Sequence, residues 1–343
     1  MVAEKNKKGD SDEHRKFVVD SGQEPVRIDK YLFARIANST RTRIQYAAQA
    51  GNIFVNGKVV KPGYKIKPGD EISIVFAHPP RPTDVLPENI PLDIIYEDAD
   101  LLVLNKKAGM VVHPAHGNYS GTLVNALLHY LDAPSPKGEK KNIALESALR
   151  PGLVHRLDKN TSGLMVVAKN ELAMARLAME MHERTILRKY AALVWGEPLK
   201  KEGTVNINIG RNPGDRKKMA SFPDGNRGKH AVTHYRVVEG FGCVSLMECK
   251  LETGRTHQIR VHMKHIGHPV FNDAEYGGNK MIRGASSQKY RQLVQQCFMI
   301  CPRQALHAKE LSFIHPVSKK LLRFETNMPE DMQGAIEMWR KYS

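Results

Sequence analysis

Long apolar runs are missing from this chain, and that absence sets the first limit on what the protein can be. No stretch of its 343 residues approaches the ~20 consecutive apolar positions needed to span a bilayer. Residues 1–16 carry mixed charge without an apolar block, so they lack the core of a secretory signal and are expected to form a disordered polar tail. A cytoplasmic address is expected. Cysteine is scarce as well. Cys243, Cys249, Cys297 and Cys301 include no C-x2-C pair, which leaves a zinc site poorly supported. Four reduced thiols are expected, with Cys243 and Cys249 on one face of a strand because they sit six apart in an alternating run. Acidic residues are in deficit. The 36 Asp and Glu stand against 52 Lys and Arg, for a net charge of +16. Each phosphate neutralised by such a surface releases counterions, so the balance favours a nucleic-acid partner. No basic amphipathic helix with an aromatic face stands out, which argues against a membrane surface. Internal repeats are also absent.

Residues 17–77 read as a small α+β unit. Ile28, Tyr31, Leu32 and Ile36 recur at helical spacing, and a second helix follows the N-cap side chains of Asn38-Ser39-Thr40 and stops at Gly51. Ile53-Phe54-Val55, Asn56-Gly57 and Lys58-Val59-Val60 predict a hairpin closed by a type I′ turn. Pro68-Gly69-Asp70 then turns the chain into Glu71-Ile72-Ser73-Ile74-Val75. Pro79, Pro80 and Pro82 stiffen residues 78–88 into an extended linker. Residues 89–343 form a larger domain. Strands are expected at Ile94-Ile95-Tyr96, Leu101-Leu102-Val103-Leu104 and residues 163–168, 191–195, 231–238 and 244–251. Helices are expected over residues 121–131 and 256–266 and from Pro329 onward, and residues 132–149 and 278–296 read as polar surface loops. Strands outnumber helices without alternating strictly with them, so the class is α+β with a mostly antiparallel mixed sheet.

The most informative segment runs His155-Arg156-Leu157-Asp158-Lys159-Asn160-Thr161-Ser162-Gly163-Leu164-Met165-Val166-Val167-Ala168-Lys169. It is an Asp in a tight polar turn feeding a strand, a braced position for a nucleophile or base. Arg156 and Lys159 favour its ionised form. On residue types alone, a structural salt bridge or cap explains such an Asp better. The whole string changes that balance, because it resembles the signature of RluA-type pseudouridine synthases. Arg188-Lys189-Tyr190-Ala191, Thr253-Gly254-Arg255-Thr256-His257-Gln258-Ile259-Arg260-Val261-His262 and Arg303-Gln304-Ala305-Leu306-His307-Ala308 resemble further blocks in that family's order. The order helix, helix, hairpin, strand in residues 17–77 resembles an S4 RNA-binding domain. Within the family the chain is most similar to the RluD type, on Pro91-Leu92-Asp93-Ile94, Val112-His113-Pro114, Val124-Asn125-Ala126-Leu127-Leu128-His129-Tyr130 and Ala231-Val232-Thr233-His234-Tyr235.

The resemblance implies a pseudouridine synthase fold and an isomerase that breaks a uridine's N-glycosidic bond, rotates the base and rejoins it through C5. Asp158 would be the nucleophile, at ribose C1′ or at uracil C6. Tyr190 would pack on the flipped uracil and help remove the C5 proton. Arg260 would pair with Asp158, since a desolvated carboxylate without a partner protonates. Arg156 would brace the gap left by the extruded base, with Leu157 and Leu306 supporting the site. Flipping costs a few kcal/mol, which contacts to flanking phosphates must offset. Arg27, Lys30, Arg41, Arg43 and Lys58 in the S4-like unit are the candidates for that RNA binding. Arg211, Arg216, Lys217 and Lys218, on a Gly/Pro-rich loop, are further candidates that read equally as solvated charge. His257, His262, His265 and His268 have no Cys or acidic ligands beside them in sequence, so neither a metal nor another cofactor is expected. The implied partner is large-subunit ribosomal RNA or its assembly precursor, with the helix 69 stem-loop as target. A monomer without a membrane partner is expected. Other ribosomal sites or tRNA stay open as substrates. Two other functions also stay open: a non-catalytic RNA-binding or ribosome-assembly protein, and a glycosidase-like hydrolase, which would need a second carboxylate beside Asp158.

Overall fold

A computed structural model describes residues 13–36, 41–76, 85–115, 117–132, 152–284 and 287–343. The proposed caps Asn38-Ser39-Thr40, most of the proline-rich linker and most of the 132–149 insert lie outside the described residues. The chain divides into two compact units, Met1–Asp84 and Val85–Ser343.

The first unit contains β1 (Glu13–Val18), α1 (Ile28–Arg35), α2 (Arg41–Gln49), β2 (Ile53–Val55), β3 (Lys58–Val59) and β4 (Glu71–Phe76). Its strands form an antiparallel sheet in the order β1-β4-β2-β3. Asn56 and Gly57 both take positive φ, 50° and 73°, which is the geometry a type I′ hairpin requires. β1 corrects the expectation of a disordered tail through residue 16. Glu13 to Lys16 carry no apolar signal, yet their backbone pairs in register with β4, as an edge strand can without burying side chains. Ile28, Leu32, Ile44, Ile53, Ile66, Ile72 and Ile74 make the core. Asp29 lies within it, its side chain 0% exposed. It accepts from Arg27 Nε and Nη2 at 3.1 Å, from Arg41 Nε and Nη2 at 3.1 and 3.0 Å, and from Gln45 Nε2 at 2.7 Å. One carboxylate thereby ties α1 to α2. Burial works against its ionisation, but the bonds from Arg27, Gln45 and Arg41 win and lower its pKa to about 2.

The second unit contains β5 (Ile94–Glu97), β6 (Leu101–Lys106), α3 (Leu123–Asp132), β7 (Ser162–Ala168), α4 (Glu171–Glu183), β8 (Leu187–Trp195), β9 (Glu202–Asn206), β10 (Asn208–Arg211), β11 (Met219–Phe222), β12 (Val232–Gly240), β13 (Val244–Leu251), α5 (Gln258–His265), α6 (Gln288–Ile300), β14 (Leu306–Ile314), β15 (Leu321–Glu325) and α7 (Glu330–Tyr342). The large sheet runs β5-β6-β7-β14-β8-β13-β12-β9, with β15 also on β14. Every pairing in it is antiparallel except β7 with β14. Central strands are buried on both faces, and their two-residue period divides the core. From β8, Tyr190, Ala192 and Val194 join α3 and α5 on one face, while Ala191, Leu193 and Trp195 join α6 and α7 on the other.

Two expectations are corrected here, and one helix is added. Residues 278–296, read as a surface loop, hold most of α6. Ser287 caps it by accepting from Tyr290 N, and Tyr290, Leu293, Val294 and Cys297 form its buried stripe. The Gln, Lys and Arg between those positions hid the period. α4, capped by Asn170, was not anticipated; only Ala173 and Leu177 of it are fully buried, too few to raise a signal. Cys243 and Cys249 do not share a strand face. Cys243 precedes β13 and packs toward Trp195, whereas Cys249 is buried on the α5 side. All four cysteines are free thiols.

Asp29→Asn should cost the first unit ~2 kcal/mol, read as faster hydrogen exchange of the Leu32 and Ile44 amides in the whole chain. Because the folded pKa lies below the unfolded value, this stabilisation is complete above about pH 4 and drains away as the pH falls toward 2. Equal protection in both proteins at pH 7 would contradict the role given to Asp29.

Candidate active site

The turn that carries Asp158 is pinned from three directions. Its own Thr161 N–H closes it by donating to Asp158 O at 3.1 Å. From β6, Lys106 Nζ donates to the carbonyls of Lys107, Met110 and Lys159 at 2.9, 2.9 and 3.1 Å. From the segment before β14, Arg303 Nη1 donates to Asn160 O and Leu306 O at 3.0 and 3.2 Å, while its Nε and Nη2 grip Asp331 of α7 at 2.6 and 2.8 Å. The turn can then enter β7 only through glycine. Gly163 has φ +118°, and a Cβ there would stand 2.2 Å from Ala308 O on β14. Lys106 is fully buried, and burial together with Arg303 brings its pKa down to about 7 against the pull of Asp158.

Arg260 meets this turn from α5. It is 3% exposed, and every nitrogen of its guanidinium is engaged. Nη1 donates to Asp158 Oδ2 at 3.2 Å, Nε and Nη2 donate to Asp273 at 2.7 and 2.9 Å, and Nη2 also donates to Glu275 at 2.5 Å. Its carbon stands 4.8 Å above the Tyr276 ring. Burial alone would discharge it, but the bonds to Asp273 and the charges of Asp158 and Glu275 hold its pKa above the ordinary guanidinium value. The cation is permanent.

These residues line a cleft of about 320 Å³. Asp158, Tyr190, Arg260, Arg156, Leu157 and Leu306, the six positions singled out in the sequence for the site, all border it. Tyr190 is 7% exposed, and burial raises the pKa of its phenol, so it keeps its proton. Leu157 and Leu306 are buried in the wall, whereas Arg156 is exposed at the cleft. A carboxylate with one oxygen held by a fixed cation and the other open, facing an aromatic wall, is equipped to attack an electrophilic carbon.

Sequence reasoning missed several residues of this cleft. His257, considered in the sequence only for metal binding, directs its Nε2 toward Asp158 Oδ1 at 3.8 Å, and its Nδ1 lies 2.7 Å from the Tyr276 hydroxyl. Arg188 is buried beside Tyr190, donating from Nη2 to Glu252 O at 3.4 Å while its Nε finds no partner. His155 Nε2 accepts the Val166 N–H at 3.2 Å, and burial plus Arg188 lower its pKa to about 3. Asp273, which organises Arg260, gave no signal, being a single acid beyond the motif.

The basic residues expected to bind RNA are spread over both units. In the first, Arg27 and Arg41 share Asp29 yet remain 44% and 43% exposed, and Lys30 and Lys58 are exposed. The Arg43 side chain lies outside the described residues. In the second, Arg211, Arg216, Lys217 and Lys218 sit on the β10–β11 hairpin, where Arg211 Nη1 donates to Arg216 O at 3.0 Å and Lys218 pairs with Asp215 at 3.5 Å. Three of the four histidines weighed for metal make structural bonds. His262 bonds Thr233 and Ile207 O, His265 bonds Ser221, and His268 bonds Trp195 O. Asp98, Asp100 and His315 lie close enough to share an ion. There, however, His315 Nδ1 accepts from the Val317 and Ser318 amides, so Nε2 carries the hydrogen that it donates to Asp98 at 2.8 Å. Among the described residues no helix is long and apolar enough to cross a membrane.

Comparison with known proteins gives the family. The family profile described as RNA pseudouridylate synthase matches residues 100–265, and the S4 domain profile matches residues 26–72. An uncharacterized RNA pseudouridine synthase of Chlorobaculum parvum is 46% identical over 319 residues, covering 93% of this chain and 95% of the relative. The chain belongs to the RluA-type RNA pseudouridine synthases. Its S4 domain is part of that identity. A ribosomal large subunit pseudouridine synthase D of Zymomonas mobilis is 44% identical, covering 91% of the synthase and 93% of the relative. Human RNA pseudouridylate synthase domain containing 4 superposes with a TM-score of 0.54 at 25% identity, over 72% of the synthase and 93% of that chain.

Asp273→Asn should lower stability to urea by ~3 kcal/mol, because it strips a buried guanidinium of its main counter-charge. Glu275→Gln, at a half-exposed acid, should cost less than ~1 kcal/mol. Equal effects of the two substitutions would contradict this ranking.

Proposed function

We propose that the synthase isomerises uridines of large-subunit (23S) ribosomal RNA in the cytoplasm, with Asp158 as its nucleophile. The observation that carries the mechanism is the contact of Asp158 Oδ2 with Arg260 Nη1 at 3.2 Å, at the wall of a cleft large enough for a nucleobase. A carboxylate so held is oriented without losing its second oxygen. Oδ1 attacks ribose C1′ of a uridine flipped out of its stack. The uracil detaches, turns against the Tyr190 ring and rejoins through C5. Arg156 fills the place the base has left, and Leu157 and Leu306 keep water from the reacting atoms. Arg27, Lys30, Arg41, Arg43 and Lys58 of the S4 domain, with Arg211, Arg216, Lys217 and Lys218 of the β10–β11 hairpin, bind backbone phosphates.

The ribosomal target rests on relatives from Zymomonas mobilis, Xylella fastidiosa and Escherichia coli that are named ribosomal large subunit pseudouridine synthase D. We take the helix 69 stem-loop of large-subunit RNA, or of its assembly precursor, as the target on the likeness to the RluD type.

Large-subunit RNA labelled with tritium at uridine C5 should release tritium with the wild-type synthase. Asp158→Asn should release none while binding the RNA within about threefold of wild type. Turnover by Asp158→Asn would remove the nucleophile. Pseudouridine mapping in a strain lacking the protein should show unmodified uridines in helix 69; full modification there would move the target to another ribosomal site or to tRNA.

A further inference from the structure

We propose that His257 is a second catalytic residue, a neutral imidazole whose Nε2–H donates a hydrogen bond to O2 of the flipped uracil as the glycosidic bond breaks. This rests on the reading that Asp158 attacks C1′. In that step the Oδ1–C1′ bond forms, the C1′–N1 bond breaks, and the electron pair leaves on the uracil as an anion shared by N1, O2 and O4. When C5 later attacks C1′, the carboxylate is released, the C5 proton passes to water and N1 takes one from water, so no net proton is consumed. The costly moment is the uracil anion, and a donor fixed beside it in advance lowers that cost.

Four of the five N–H groups of Arg260 are committed to Asp273, Glu275 and Asp158, and the fifth is on Nη1, the nitrogen already bonded to Oδ2. Because Arg260 holds Oδ2, the attacking oxygen is Oδ1, and His257 Nε2 is the nitrogen that faces Oδ1. At 3.8 Å the two are too far apart to be hydrogen-bonded, so the imidazole N–H is not spent on the nucleophile. With C1′ over Oδ1, the uracil oxygen nearest the breaking bond is O2, on the carbon next to N1.

The tautomer follows from the partners of Tyr276. Its hydroxyl oxygen accepts the Met219 N–H at 3.0 Å, and we assign its hydrogen to His257 Nδ1, 2.7 Å away. Nδ1 is then an acceptor, and the ring hydrogen sits on Nε2, toward the cleft. Burial lowers the His257 pKa, and Arg260 adds to this against the opposing pull of Asp158, Glu275 and Asp273, so the ring is neutral. Neutrality matters, because an imidazolium here would pair with Asp158 and blunt it.

The backbone is held in an uncommon state to aim this ring. His257 has φ +56°, a left-handed conformation that costs a non-glycine residue about 1 kcal/mol. Gln258 fixes it. Its Oε1 accepts from Thr253 Oγ1 and Arg255 N at 2.7 and 3.0 Å, and its Nε2 donates to Val232 O and Thr233 Oγ1 at 2.9 and 3.0 Å.

The test measures single-turnover isomerisation of a large-subunit rRNA stem-loop. His257→Ala should slow it by about 100-fold with RNA affinity within about threefold of wild type, and His257→Gln, which keeps an N–H near the same place, should recover about tenfold. Replacing the target with 2-thiouridine, whose sulfur accepts hydrogen bonds poorly, should slow wild type at least about tenfold more than it slows His257→Ala. A 4-thiouridine substrate should affect both proteins alike. The proposal fails if His257→Ala stays within about threefold of wild type, if the 2-thio effect is the same in both, or if the coupling appears at O4. Should His257→Ala not fold, the same thio comparison between wild type and His257→Gln decides, with a smaller 2-thio penalty expected in the variant. Asp158→Asn run in parallel separates the two readings: turnover by that variant removes the nucleophile whatever His257 does.

Discussion

A guanidinium taken out of water has to be repaid in charge and hydrogen bonds, and Arg260 is repaid by three carboxylates. Asp273 takes two of its donors in a fork, Glu275 caps it from the half-exposed side, and the remaining Nη1 is turned toward Asp158. The geometry of the cleft follows from that allocation. Because Asp273 is fully buried and the stronger partner, the position of Arg260 does not depend on substrate, and Asp158 is held by one oxygen only. The other oxygen is left for chemistry.

The sheet supplies the rest of the precision. β7 leaves the Asp158 turn, β8 delivers Tyr190, and the start of β14 delivers Leu306, so three neighbouring strands end at one cleft. The two-residue alternation along β8 turns Tyr190 toward the site while Ala191 and Trp195 anchor the strand against α6 and α7 on the other face. Lys106 and Arg303 add amine and guanidinium staples to the turn itself. Buried donors bonded to backbone carbonyls fix a loop, since each misplacement strands a desolvated polar group.

Much of this was legible in the sequence, for identifiable reasons. Strongly apolar strands such as β6, β7 and β13 announce themselves, and the Asn56-Gly57 turn reports its own φ angles. Asp158, Tyr190 and Arg260 lie far apart in the chain, and the structure brings all three to one cleft; only the resemblance to a family linked them beforehand. What stayed hidden was work done by single polar residues. β1 begins in a polar run that its backbone pairing with β4 orders, α6 disguises its buried stripe among Gln and Lys, and Lys106 looks like the polar end of a strand until three carbonyls are seen around it. Asp273 and His257 depend on contacts that no local pattern encodes.

The central claim is that a forked, permanently charged Arg260 readies Asp158, and Arg260→Lys tests it most directly. Lysine keeps the positive charge but cannot span Asp273, Glu275 and Asp158 at once. The account predicts that C5 tritium release from large-subunit RNA falls by about 100-fold or more while RNA binding persists. Release within about threefold of wild type would contradict it, because charge alone, without the fork, would then suffice.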